Sequence, residues 1–159
     1  MPKIRILLTQ RETRQHRVSL RRDLQAELPP VSGDRVQLQQ VVINLLMNAM
    51  EAMETVTDRP RDLLVRSQQE GDQVLIAVRD SGTGIAPENV DRLFSSFFTT
   101  KSGGMGMGLS ISRSIVEAHG GKLWASPNAG PGATFQFSLP LCREAAAGPA
   151  PRVTLVASN

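Results

Sequence analysis

Three groups of residues in this 159-residue chain carry side chains or backbone freedom suited to chemistry. The first is Asp80-Ser81-Gly82-Thr83-Gly84, which follows directly on the apolar run Gln73 to Asp80. A carboxylate at the end of a strand accepts hydrogen bonds and donates none. Adenine offers a donating exocyclic amine where guanine offers a carbonyl, so an Asp on a pocket floor selects adenine. Gly82 and Gly84 would let backbone approach a base closely, although the same string also suits an ordinary turn. The second group is Gly103-Gly104-Met105-Gly106-Met107-Gly108-Leu109, ahead of a helical pattern. Glycines that bare the amides of a helix N-terminus suit phosphate, and a flexible hinge is the alternative reading. Neither a Walker loop nor a Rossmann fingerprint fits, because Lys101-Ser102 and Lys122-Leu123 lack the required glycine spacing and a long loop precedes the cluster.

The third group is a polar stripe, Gln37, Gln40, Asn44, Asn48 and Glu51, spaced three and four apart. That spacing puts all five on one face of a helix that is otherwise apolar around much of its circumference. Amides on such a face need water, a polar neighbour or a ligand, since burying them unsatisfied is costly.

The elements that must position these groups can be traced along the chain. Ile4 to Leu8 is a short apolar run, Thr9 to His16 is compatible with a helix, and Val18, Leu20 and Leu24 suit a strand that Pro29-Pro30 ends. Asp34, three residues before Gln37, suits the N-cap of a long helix running to about Glu54. Strands are predicted over Asp62 to Ser67 and Gln73 to Asp80, joined as a hairpin through Glu70-Gly71-Asp72. Ser81 to Gly108 reads as a long functional loop with a helical turn near Glu88 to Phe94. A helix from about Met107 to His119 stops at Gly120-Gly121, and strands Lys122 to Ser126 and Ala133 to Leu139 flank the turn Asn128 to Gly132. The domain is expected over 18–141, with a lead-in at 1–17 and a flexible Ala-, Gly- and Pro-rich tail at 142–159.

In this order the segments resemble sensor histidine kinases, within the wider ATPase family that includes gyrase, heat-shock chaperones and mismatch-repair proteins. Asn44 to Ala49 is similar to the asparagine box, Asp80 to Gly84 to the first glycine box and Phe94 to Lys101 to the phenylalanine box. Gly104 to Leu109 resembles the second glycine box and Gly130 to Phe135 the terminal one. The strings Asn-Ala-Met-Glu-Ala-Met and Phe-Phe-Thr-Thr-Lys resemble the branch of nitrogen-regulation and oxygen-sensing kinases. The resemblance implies an α/β fold, a two-layer α/β sandwich of the Bergerat type, with a mixed, mainly antiparallel sheet, helices on one face and a long lid over ATP.

By position, the resemblance makes Asn48 the side-chain ligand of a Mg2+ ion bridging the phosphates of ATP, with Asn44 beside them; oxygen ligands suit that hard cation. Asp80 would take the adenine amine, with Gly82 and Gly84 in the turn beside it and Thr134 in support. Gly104, Gly106, Gly108 and Leu109 would line the phosphate side, and Phe94, Phe97 and Phe98 would anchor the lid. Lys101 is a further phosphate contact. Two positions depart from the pattern. Glu51 stands where many relatives carry a basic residue, a role Lys101 or Arg92 could take. Asn44 stands where gyrase-like enzymes keep a water-activating glutamate, and an amide is a poor general base.

The family's phosphoacceptor motif, a helical His followed by an acidic residue, is missing. His16 and His119 both read as structural. The resemblance therefore implies the phosphate-donor part of a two-component kinase, acting on a histidine of a separate dimerisation domain and, downstream, a response regulator. An ATPase clamp, an anti-sigma serine kinase and a non-catalytic nucleotide-binding module are the competing readings.

The bulk numbers agree with this class. The net charge of +3 and the scarcity of aromatics, one Trp, five Phe and no Tyr, argue against a nucleic-acid surface. One cysteine allows no internal disulfide and suits a reducing cytoplasm. Apolar runs such as Val41 to Ile43 fall far short of the roughly 20 residues that span a bilayer, so no membrane contact is expected.

Overall fold

The computed structural model describes residues 3–5, 10–95, 108–142 and 152–156. Its centre is a five-stranded sheet in the order β2-β4-β5-β7-β6, formed by Ser19–Leu24 (β2), Asp62–Glu70 (β4), Gln73–Arg79 (β5), Lys122–Pro127 (β6) and Ala133–Pro140 (β7). All neighbours run antiparallel except β2 and β4, which are parallel. A parallel pair needs a crossover. Here the long helix α2, Arg35–Ala52, lies in that connection. The expected two-layer, mainly antiparallel α/β architecture is present.

Strand alternation divides the sheet's faces cleanly. Leu63, Val65, Val74, Ile76, Val78, Phe135, Phe137 and Leu139 are buried against Leu38, Val41, Val42, Leu45, Leu46, Ala49 and Met50 of α2. Helix α3, Gly108–Ala118, packs beside α2 and contributes Val116. The other face carries Leu64, Arg66, Leu75, Ala77, Arg79, Thr134 and Gln136, which line a shallow cavity of about 230 Å³.

Local chemistry sets the element ends. Asp34 caps α2, its Oδ1 accepting from the Gln37 amide at 3.0 Å. The hairpin between β4 and β5 is tighter than expected, since β4 extends to Glu70 and leaves Gly71 (φ +61°) and Asp72 to turn. Pro87–Arg92 forms the short 3-10 turn expected near there. His119 joins the far ends of the two helices: its Nε2 accepts from the Asp34 amide at 3.0 Å and its Nδ1 lies 2.7 Å from the Ile115 carbonyl. Both bonds are made by one neutral tautomer, protonated at Nδ1. The histidine is structural, as expected.

The chain ends contain more regular structure than their composition suggests. Lys3–Arg5 (β1), Val31–Ser32 (β3) and Arg152–Val156 (β8) form a second small sheet in the order β1-β8-β3, with a short helix α1 at Gln10–Gln15. Strand β8 falls within the stretch 142–159 read from the sequence as a flexible tail, whose Ala- and Gly-rich part, 143–151, lies outside the described residues.

Leu45 sits wholly buried at the centre of the helix–sheet contact. Leu45→Ala is expected to lower the stability of the chain by about 2–5 kcal/mol, read as an earlier midpoint in urea unfolding.

Candidate functional site

Asp80 follows the last residue of β5, and the alternation that buries Val74, Ile76 and Val78 turns its side chain to the helix side of the sheet. It is 2% exposed. Burying a carboxylate is costly unless hydrogen bonds replace water. Here Oδ1 accepts from the backbone amides of Gly82 at 2.9 Å and Ala133 at 3.2 Å. Oδ2 is buried too and takes part in neither bond. The backbone is held as firmly. Its amide donates to the Ala133 carbonyl at 3.0 Å, and its carbonyl accepts from Asn128 Nδ2 at 2.9 Å.

Two glycines are required by these approaches. A Cβ on Gly82 would run into the Ala52 carbonyl, where the Thr83 amide donates at 3.1 Å. One on Gly132 (φ +91°) would strike the Asp80 carbonyl. Gly84 (φ +80°) faces Gly132. The first and terminal glycine segments, some 50 residues apart, therefore meet at one carboxylate, and the first also rests on the C-terminus of α2.

On α2, Gln37, Gln40 and Glu51 are exposed while Asn44 and Asn48 are half-buried, so the stripe is partly solvated and partly turned to protein. Asn44 ties the two helices together. Its Nδ2 donates to the Gly108 carbonyl at 3.3 Å and to Ser112 Oγ at 3.1 Å, and its Oδ1 accepts from Gln40 Nε2 at 2.8 Å. Asn48 lies one turn nearer to Ala52, and so to the Asp80 turn. Among the described residues no cluster of three His, Cys, Asp or Glu exists to hold a metal.

Gly108 begins α3, and Leu109 packs on the core edge. Phe94 is placed at the same edge: its ring meets Phe135 edge-on at 6.4 Å between centroids, and the Arg113 guanidinium lies 5.4 Å from its centre. Phe97, Phe98, Lys101, Gly104 and Gly106 lie outside the described residues.

Thr134 is not brought to the Asp80 carboxylate. It alternates with the buried Ala133 and Phe135, so it faces the side of the sheet away from α2, with Arg79 and Leu64. Its hydroxyl donates to Asn128 Oδ1 at 2.6 Å, and so it orients the amide that grips the Asp80 backbone. The direct partner of the carboxylate is the Ala133 amide. Asn128 escaped the sequence reading because a turn Asn is ordinarily self-satisfied, and Arg59, whose guanidinium reaches the Ser81 and Gly82 carbonyls, carried no motif signal.

Residues 33–143 match the family of histidine kinase-, DNA gyrase B- and HSP90-like ATPases. The chain belongs to that family. Among its relatives it is 48% identical to the sensor protein FixL of Bradyrhizobium diazoefficiens over 132 residues, covering 82% of this chain and 26% of that protein. It is 44% identical to the C4-dicarboxylate transport sensor protein DctS of Rhodobacter capsulatus over 133 residues, covering 84% of this chain and 20% of that one. The solved catalytic domain of the histidine kinase ThkA superposes with a TM-score of 0.72 at 36% identity, covering 82% of this chain and 84% of that one. The chain thus spans about a quarter or less of these curated relatives, and the part it spans is the histidine kinase ATPase catalytic domain.

Gly82→Ala is expected to push the Asp80 turn off the end of α2, costing about 1–3 kcal/mol. Faster hydrogen exchange at the Thr83 amide, whose partner is the Ala52 carbonyl, is the measurement that checks it.

Proposed function

We propose that this domain binds ATP with Mg2+ and donates the γ-phosphoryl group to a histidine carried by a separate dimerisation domain, from which a response regulator would receive it. The observation that carries the reading is the buried Asp80 carboxylate, set between two glycine turns, the first of which rests on Ala52, one helical turn beyond Asn48. The carboxylate would accept from the adenine amine. Gly82 and Gly84 would shape the turn beside the base, Gly82 by resting on Ala52 and Gly84 by facing Gly132, and Thr134 acts indirectly through Asn128.

The amide oxygen of Asn48 fits a hard cation whose remaining ligands are phosphate oxygens and water, which is how Mg2+ is commonly bound. Bound there, the ion would neutralise charge on the phosphates. Gly104, Gly106 and Gly108 would supply amides to the phosphates, with Leu109 behind them; Phe94, already seated on Phe135, would hold the root of the lid that includes Phe97, and Lys101 would approach the terminal phosphate. In the transfer, an imidazole nitrogen of the acceptor attacks the γ-phosphorus as the bond to the β,γ-bridging oxygen breaks. ADP leaves and the imidazole gives its proton to solvent. Such a transfer needs positioning and charge neutralisation above all.

Hydrolysis is disfavoured by the same residues. Asn44 occupies the position of a water-activating carboxylate, and its amide is engaged by Gly108, Ser112 and Gln40. Support for the regulator comes from a solved complex of ThkA with the response regulator protein TrrA, whose kinase is 33% identical to this chain with a TM-score of 0.69, covering 83% of this chain and 36% of that one. No helix among the described residues is long and apolar enough to cross a membrane. A reaction that uses ATP and a response regulator would take place in the cytoplasm, whether or not the protein is anchored to a membrane.

The chain should bind ATP in calorimetric titration in the presence of Mg2+. Asp80→Asn should weaken that binding about tenfold to a hundredfold, with the fold retained by circular dichroism. Unchanged affinity would move the base elsewhere. Steady-state hydrolysis by the isolated chain at the rates of an ATPase clamp, or phosphorylation of a partner's serine, would replace the histidine-kinase reading.

A further inference from the structure

The segment Arg59-Pro60-Arg61-Asp62, which leads from α2 into the first residue of β4, belongs to none of the family boxes, yet it touches three parts of the domain. Arg59 donates from Nε to the Ser81 carbonyl at 3.0 Å and from Nη2 to the Gly82 carbonyl at 2.7 Å. The planar guanidinium therefore spans two successive carbonyls of the turn that hangs from Asp80. Ser81 answers with its side chain: its Oγ donates to the Pro60 carbonyl at 3.0 Å and accepts from the Asp62 amide at 2.9 Å. Arg61 points the other way along the chain. Its guanidinium donates to the carbonyls of Glu54 at 2.8 Å, Val56 at 3.0 Å and His16 at 2.8 Å, while its own carbonyl accepts from the Ser19 amide at 2.9 Å.

We infer that these four residues form a bracket that positions the adenine-binding turn and ties it to the segment that follows α2 and to the start of β2. The inference rests on the adenine reading of Asp80. The Ser81 carbonyl held by Arg59 shares a planar peptide unit with the Gly82 amide, so that amide is fixed against Asp80 Oδ1 and the carboxylate keeps one orientation. Arg59 is a positioning residue, since it touches the turn and not the base. Arg61 makes that turn sensitive to how the residues before β2 are seated, because the His16 carbonyl and the Ser19 amide are bound by the same residue that braces Glu54 and Val56. Movement of the lead-in would thus reach the base pocket without passing through the phosphate side.

The test measures binding of ATP and of inorganic tripolyphosphate, each with Mg2+, to the whole chain by NMR titration, with thermal melts to establish folding. Arg59→Met is expected to weaken ATP about tenfold and leave tripolyphosphate unchanged, because the bonds it removes hold the base end alone. Arg59→Lys keeps the charge but cannot span two carbonyls, so it should lose about threefold; it carries the comparison if the methionine variant melts below the assay temperature. Arg61→Met should show the same selective loss of ATP although it touches neither Ser81 nor Gly82. Wild-type ATP affinity in the Arg59 variants, or parallel loss of ATP and tripolyphosphate, overturns the bracket. Wild-type ATP affinity in Arg61→Met overturns its link to β2. Failure of the unsubstituted chain to bind ATP at all overturns the nucleotide reading itself and this inference with it.

Discussion

A carboxylate at 2% exposure is tolerated in a protein core only if its surroundings replace the water it has lost, and the turns after β5 and before β7 are arranged around that requirement at Asp80. Two backbone amides, from Gly82 and Ala133, converge on one of its oxygens. Satisfying them closes two loops at once: the turn after β5 and the turn before β7. Those loops can approach closely only because Gly82 and Gly132 lack a Cβ. The glycine boxes are thus steric conditions for solvating an internal charge with backbone.

That arrangement transfers the burden to the scaffold. The turn after β5 must lie against the Ala52 carbonyl, so the end of α2 is fixed relative to the central strands. The start of α2 is fixed by Asp34 and, through it, by His119 at the end of α3. Asn44 then joins the middle of α2 to the start of α3. With both ends of the helix pair tied, the half-buried Asn48 and the helix-opening Gly108 hold a defined spacing. This is the kind of preorganisation that phosphoryl transfer depends on.

The spacing of apolar residues announced much of the scaffold. Helix α2 with its Asp34 cap, the hairpin of β4 and β5, helix α3 and the pair β6 and β7 were legible because each is a local pattern of period 3.6 or 2 closed by a turn residue. The Asp80 turn and the asparagines of α2 were legible as residue types in order along the chain. The strands β1, β3 and β8 were not, because they are short and pair across more than a hundred residues; nothing in Lys3–Arg5 specifies Arg152–Val156 as its neighbour. A composition rich in Ala, Gly and Pro near the C-terminus masked the last of them.

The contacts that depend on facing and on distance lie beyond linear pattern. Thr134 sits beside the right residue in sequence, but strand alternation turns it to the opposite face and leaves the Ala133 amide to meet the carboxylate. Arg59 and Arg61 show no motif, because what they recognise is backbone carbonyl, and any sequence presents carbonyls. The sequence by itself determined which side chains could handle a base, a phosphate or a cation, since donor and acceptor chemistry belongs to the residue. Only the tertiary structure decided which of them share a site, because burial and hydrogen-bond geometry arise where β5, β7, α2 and the segment from Arg59 to Asp62 meet.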